Sequence, residues 1–301
     1  MEAQAELAKK YGVYGFCYYH YWFAHGKKLL EKPIERMLKN PNVDIPFCLC
    51  WANENWTRLW DGGRNEVIVA QDYDDMDNLN RHIDYLCEFF SDHRYIKQDG
   101  KPFFVIYRPN IIPNIKERLH YIRERVKNNG LPGLFIAAQY PEYLQMDGTC
   151  ADLGVDAYIQ NQPSFATFNP LINILRTVKL LAPVYYLARK LRRQCRIIDY
   201  DDIWEKILAF RNNDPRFIAG AFKDWDNSPR RRRTGSLYRG VTPEKFGAYM
   251  RRLVQKVRNE YNFQYIFLNS WNEWCESSYI EPDERYGYAY LEALHDALSL
   301  Q

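Results

Sequence analysis

A barrel of parallel strands wrapped by helices is predicted for this chain by three observations. Short apolar runs alternate with amphipathic helical stretches along its 301 residues. The runs are continuously apolar, as in strands buried on both faces, rather than alternating. Nearly every run also exits into polar and aromatic residues, while the run starts show nothing comparable. Chemistry gathered at the C-terminal ends of parallel strands is the mark of an α/β barrel. A doubly wound sheet would concentrate it at one switch point, usually beside a Gly-rich loop. No GxGxxG or P-loop sequence occurs.

The elements follow in order. The chain opens with a helix, Glu2–Lys10, and the apolar runs then fall at 13–19, 45–50, 103–107, 134–138, 155–159, 217–222 and 265–268. Helical patterns such as 78–91, 115–127, 204–212 and 244–261 lie between the runs, and the seven runs give a count of seven strand–helix units. Asn114 is placed to cap the second of these helices. Thr242 caps the last, with Pro243 at its first position. The segment from 164 to about 200 is too long for a loop and reads as a helical insertion, with helical period at 171–179 and 184–193. Its basic, apolar stretch 187–193 fits two readings: weak contact with a membrane surface, or a helix packed on the barrel with a solvated basic face.

Composition narrows the function classes. Lys and Arg number 41 against 38 Asp and Glu, so charge makes no case for nucleic acid. No apolar run reaches the ~18 residues a membrane span needs. The N-terminus lacks the basic and apolar regions of a signal peptide. Seven scattered cysteines fit reduced thiols in a cytoplasmic protein, peripheral at most to the inner face of a membrane. The six histidines are dispersed and no metal-ligand spacing occurs, so neither metal nor cofactor is expected. Aromatic residues reach 16%, which fits either an aromatic core or a polar-aromatic cleft for sugars.

The strand ends carry the candidate site. The first exits through Tyr19, His20 and Trp22, the second through Trp51, Asn53, Glu54, Asn55 and Trp56. Tyr107, Gln160, Asp224 and Trp225 follow later strands. The last strand leads into Ser270-Trp271-Asn272-Glu273-Trp274-Cys275-Glu276. Two carboxylates three residues apart, between indoles, suit glycosidic chemistry. Carboxylates supply acid, base or nucleophile, and indole faces give flat platforms for a pyranose ring. The arginines 230–233 read as a phosphate or acidic-sugar site, or equally as a solvated loop.

Four stretches, YGFCYYHYWF (14–23), FCLCWANENWTRLWDG (47–62), KDWDNSPR (223–230) and LNSWNEWCESSYIEPD (268–283), resemble the WbsX family of polysaccharide-biosynthesis glycosyltransferases. The resemblance spans nearly the whole chain except the insertion. Its domain is related, more distantly, to glycoside hydrolase family 99, the endo-α-mannosidases, through Glu273, Trp274, Glu276 and Glu281. That relation implies one (β/α)8 TIM-type barrel over 1–301 and a retaining mechanism. Glu273 would take the proton of the substrate 2-hydroxyl, which closes a 1,2-anhydro sugar. Glu276 would protonate the leaving oxygen, with Trp271, Asn272, Trp274 and Glu281 binding substrate beside them. A classical two-carboxylate route stays open.

Two departures from the family stand out. Ser277 replaces a Gly after the second Glu, which would cost about 1 kcal/mol if the position has positive φ. The family's first strand, upstream of the opening helix, is absent, so the chain reads as N-terminally truncated and unpaired strand edges are expected. Three functions remain: glycosidic-bond chemistry on an oligosaccharide or polysaccharide of O-antigen or mannose type; transfer from a nucleotide- or lipid-linked sugar; and a non-catalytic sugar-binding barrel.

Overall fold

The apolar runs form parallel strands, and their surroundings follow from their composition. The computed structural model describes residues 1–58, 66–190 and 195–299. The described residues divide into two compact units: 1–58, 66–139 and 152–158 in the first; 140–151, 159–190 and 195–299 in the second.

In the first unit the strand Phe16–Trp22 pairs in parallel with Phe47–Trp51. That strand pairs with Lys101–Ile106, and Lys101–Ile106 pairs with Phe135–Ala138. Ala137 and Ala138 face Ala157 and Tyr158. Phe47–Trp51 is buried at every position, as its unbroken FCLCW requires. The first strand begins and ends three residues later than its apolar run. Its tail pairs antiparallel with Lys28–Leu29, which extends regular structure through Trp22. Gly15 lets this strand approach its neighbour, since a Cβ there would lie 2.5 Å from the Pro46 carbonyl oxygen.

Helices pack as their patterns require. Met76–Phe90 buries Leu79, Ile83, Leu86 and Phe90 on one face, and Asp75 caps it by accepting from the Asn78 N–H at 2.9 Å. Ile115–Asn128 starts at Asn114 as expected, but that residue is left-handed (φ 46°) and its side chain makes no capping bond. Arg94, 7% exposed, donates to the carbonyls of Asn40 and Val43 (2.9 Å each) and Met37 (3.1 Å) and pairs with Asp92. It thereby satisfies carbonyls left over where the helix Lys32–Lys39 ends.

In the second unit Phe217–Phe222 is buried throughout and pairs in parallel with Ile266–Asn269. Gly220 permits the closest approach in this unit. A Cβ there would lie 1.7 Å from the Gln160 carbonyl oxygen. Trp204, on the helix Tyr200–Ala209, stacks on Phe222 (12° between planes) and on Tyr249 (6°) of the helix Pro243–Glu260. Thr242 caps that long helix by accepting from the Lys245 N–H at 3.3 Å. Ile266–Asn269 is half-buried at all four positions, as are Phe16, Cys17 and Tyr18, whereas the strands they pair with are fully buried.

The insertion differs in detail from the sequence reading. Its helices run Ser164–Thr167, Pro170–Thr177 and Ala182–Lys190, and a strand, Arg196–Asp199, follows and pairs in parallel with Ser236–Arg239. The helix Pro170–Thr177 buries no residue. Part of the basic stretch 187–193 lies outside the described residues.

Candidate functional site

The acidic motif folds as a hairpin. Asn272 and Glu273 pair antiparallel with Tyr279 and Ser278, and Trp274–Glu276 makes one 3-10 turn between them. Ser277 closes the turn with φ 55°, ψ 10°. That is the left-handed region, where a Cβ is disfavoured and Gly is not. The Ser277 substitution therefore falls where the backbone uses glycine's freedom. The Glu273 N–H donates to Ser270 Oγ at 3.2 Å, and the Ser278 hydroxyl donates to the Asn269 carbonyl at 2.9 Å. Both bonds hold the hairpin against the end of its strand.

This hairpin gives its three glutamates different surroundings. Glu273 is exposed. Glu276 is 9% exposed and forms an ion pair with Arg230. Glu281 accepts from both indoles, Trp271 Nε1 at 3.0 Å and Trp274 Nε1 at 2.8 Å. Trp274 stacks on Tyr279 with ring centres 3.7 Å apart and remains 47% exposed. The Lys223 ammonium lies 3.9 Å from the Tyr279 ring centre and 4.7 Å from that of Tyr290. Such contacts favour a buried cation, while burial pushes the Lys223 pKa down. Burial pushes the Asp224 carboxyl up, against one hydrogen bond from the Trp225 N–H at 2.7 Å. An open cavity of about 690 Å³ adjoins the hairpin, lined by Trp274, Tyr279, Pro282 and Tyr288 with Asp283 and Arg285.

Asp224, Trp225, Trp271, Asn272, Glu273, Trp274, Glu276 and Glu281 thus belong to one unit. Gln160 shares that unit but is 2% exposed. It accepts from the Tyr261 hydroxyl at 3.0 Å, and its Nε2 is buried without a partner.

The first unit gathers the remaining candidates, and burial divides them. His20 (1% exposed), Trp22 (6%), Trp51 (4%) and Asn53 (0%) are interior. His20 Nε2 lies 2.8 Å from His82 Nε2, so one ring donates to the other. Burial, with the Lys28 charge adding, pushes the His20 pKa down to about 3. Trp22 donates to Asn78 Oδ1 at 3.1 Å and stacks on His82. Trp51 packs edge-on to the same imidazole. Asn53 accepts from the Arg108 N–H (2.8 Å), donates to the Arg108 carbonyl (2.9 Å), and its own carbonyl accepts from the Tyr73 hydroxyl. These groups brace the strand ends.

Tyr19, Glu54, Asn55, Trp56 and Tyr107 remain accessible. Tyr19 is 42% exposed, packs edge-on to Tyr107 and accepts from Gln139 Nε2 at 3.2 Å. Glu54 pairs with Arg108 at 3.0 Å, Asn55 caps the Gln71 N–H at 2.6 Å, and Trp56 sits edge-on to Tyr21 and Phe23.

Four contributors carried weaker signals in the sequence. Arg230 lay in an arginine run that gave no sign of a carboxylate partner. Lys223 stood before Asp-Trp-Asp at a strand end, where a cation is unexpected. Arg108 and His82 sit on other elements than the residues they hold. Among the described residues no group of three or more His, Cys, Asp or Glu could hold a metal ion.

The chain is 31% identical over 301 residues to the uncharacterized protein WxcX of Xanthomonas campestris pv. campestris in two strains; the match covers 99% of the chain. The chain spans 41% of the length of these relatives. A glycoside hydrolase-like protein shares the fold with a TM-score of 0.60 at 15% identity, over 99% of this chain and 85% of that one. The GH99 endo-alpha-mannosidase from Bacteroides thetaiotaomicron does so with a TM-score of 0.53 at 13% identity, over 99% and 77%. The family model for glycosyltransferase WbsX matches residues 1–294, and the chain belongs to that family.

Proposed function

We propose that the chain is a glycan-active enzyme in which Glu273 and Glu276 act as a pair on a glycosidic bond. The observation that carries this reading is their contrast within one hairpin: an exposed carboxylate three residues from a buried one beside a guanidinium. Two carboxyl groups in unlike environments take unlike protonation roles. Glu273, open to solvent, acts as base towards a sugar 2-hydroxyl, which attacks the anomeric carbon to give a 1,2-anhydro sugar. Glu276 protonates the departing oxygen. A guanidinium favours the carboxylate over the acid, so this role requires Arg230 to leave Glu276 as substrate binds. Trp271 and Trp274 offer faces to the sugar, and Tyr19, Glu54, Asn55, Trp56 and Tyr107 are the accessible sugar-binding candidates of the first unit. The substrate is an oligosaccharide or polysaccharide of O-antigen or mannose type, handled in the cytoplasm. Reading the parallel strands as seven units of a (β/α)8-type barrel belongs to the same proposal; the likeness to the two glycosidase-like structures supports it.

A second reading, transfer from a nucleotide- or lipid-linked sugar, rests on one observation. Arg231, Arg232 and Arg233 are exposed beside Arg230. A diphosphate engaging this run would compete with Glu276 for Arg230. Calorimetry with UDP, GDP and a soluble prenyl diphosphate tests it: binding that Arg231→Ala/Arg232→Ala removes supports transfer, and no heat with any of them excludes it. The Glu pair itself is tested by Glu273→Gln and Glu276→Gln on mannan-type and O-antigen-type oligosaccharides. Loss of turnover in both supports the pair. Binding without turnover in the parent chain would leave a sugar-binding protein instead.

A further inference from the structure

The helices Pro170–Thr177 and Ala182–Lys190 form a hairpin that leaves large apolar side chains exposed. Leu171 (56% exposed) and Leu175 (43%) lie on the first, and Val178 (41%) follows at its C-cap. Leu180 (84%) lies in the connection, and Val184 (68%) and Leu187 (57%) lie along the second. Soluble folds turn such side chains inward, and an exposed apolar patch of this kind marks an interaction surface. The link to the rest of the unit is polar: Arg176 pairs with the buried Glu142 at 2.6 Å. That ion pair ties the hairpin to the unit, while its leucines and valines stay exposed.

Charge selects the occupant. From Asp156 to Asp199 the intervening sequence holds no Asp or Glu, but seven basic residues: Arg176, Lys179, Arg189, Lys190, Arg192, Arg193 and Arg196. Lys179 is exposed at the tip, beside Leu180. Two copies of such a surface would repel each other. A layer that is both anionic and apolar accepts it, because leucines enter the acyl boundary while basic groups meet phosphate headgroups.

We propose that this hairpin docks the protein on an anionic lipid surface. The inference is independent of the Glu273–Glu276 reading, because none of its residues belongs to that hairpin.

Vesicle flotation of the full chain tests it, with phosphatidylcholine vesicles with and without about one-third phosphatidylglycerol. The expected result is co-flotation with the anionic vesicles only, weakened by salt as screening shortens the electrostatic range. Leu180→Glu/Val184→Glu reduces binding at least about tenfold. Lys179→Glu reduces it several-fold. All three positions are exposed, so unchanged thermal midpoints verify that the variants fold. No co-flotation at low salt overturns the proposal. So does concentration-dependent self-association abolished by Leu180→Glu/Val184→Glu, which would give these side chains to a second copy.

Discussion

Replacing Glu281 by Gln tests how the indoles of the candidate site are held. Its carboxylate accepts from Trp271 Nε1 at 3.0 Å and Trp274 Nε1 at 2.8 Å. A hydrogen bond to a charged group contributes roughly 1.5–3 kcal/mol, and the near-half exposure of Trp274 puts its bond at or below the low end. Glutamine keeps one acceptor oxygen but turns an NH2 group towards the other indole N–H. One bond is lost, and two donors face each other. The expected loss of stability is about 1–2 kcal/mol. Trp274 then keeps its stack on Tyr279 but loses its in-plane anchor, and its face no longer has a fixed orientation for a sugar. Glycan affinity should fall roughly tenfold, which corresponds to about 1.4 kcal/mol. Titration calorimetry with a mannan-type oligosaccharide reads the affinity, and tryptophan fluorescence reads the indole environment. Unchanged affinity with altered fluorescence would show that the indoles do not form the platform. Unchanged values of both would refute the anchoring itself.

Four further outcomes follow from the geometry. Gly220→Ala places a Cβ 1.7 Å from the Gln160 carbonyl oxygen in a buried strand; the strands must separate, which costs upwards of about 3 kcal/mol, and a thermal midpoint near the parent's would refute the close approach. Ser277→Gly relieves the left-handed strain (φ 55°) and should add about 0.5–1 kcal/mol; a lower midpoint would contradict that. His20, with its folded pKa pushed from the usual 6.5 to about 3, contributes stability that is complete above pH 6.5 and declines as pH falls towards 3, by at most about 1.4 kcal/mol per pH unit; denaturant midpoints at pH 7.5 and 5.5 should differ less in His20→Gln, and equal differences would remove the histidine from the cause. Cys275 is the exposed thiol among the described cysteines, so mass spectrometry after brief alkylation should find the adduct there first; prior labelling of Cys87 or Cys195 would contradict the exposure.

Much of the fold was legible because each buried strand is a short apolar run, and each of the seven runs overlaps an observed parallel strand. The opening helix Glu2–Lys10 matches its pattern end to end. Boundaries failed where pairing overrode local pattern: His20–Trp22 read as a strand exit but continue the strand, because His20 pairs with Trp51 and Lys28–Leu29 supplies Tyr21 and Trp22 with a partner that no local signal announces. The helix expected at 204–212 instead starts at Tyr200, capped by Asp199. At the site, the sequence singled out the two glutamates of Glu-Trp-Cys-Glu, and the left-handed Ser277 was foreshadowed by the glycine it replaces. The ion pair of Glu276 was not legible, because Arg230 lies 46 positions away in a run that also reads as solvated. Nor was the interior placement of His20, Trp51 and Asn53. Polar and aromatic residues at strand ends look alike in sequence whether they face a ligand or a neighbouring side chain such as His82.

The central claim is that Glu273 and Glu276 work together on a glycosidic bond. NMR of the anomeric product formed from an α-mannosyl oligosaccharide, by the parent chain and by Glu273→Gln and Glu276→Gln, tests it most directly. The account predicts turnover with retained configuration in the parent and a loss of about 10²–10⁴-fold in each variant, the range for a positioned acid or base. Turnover in either variant equal to the parent's would contradict it.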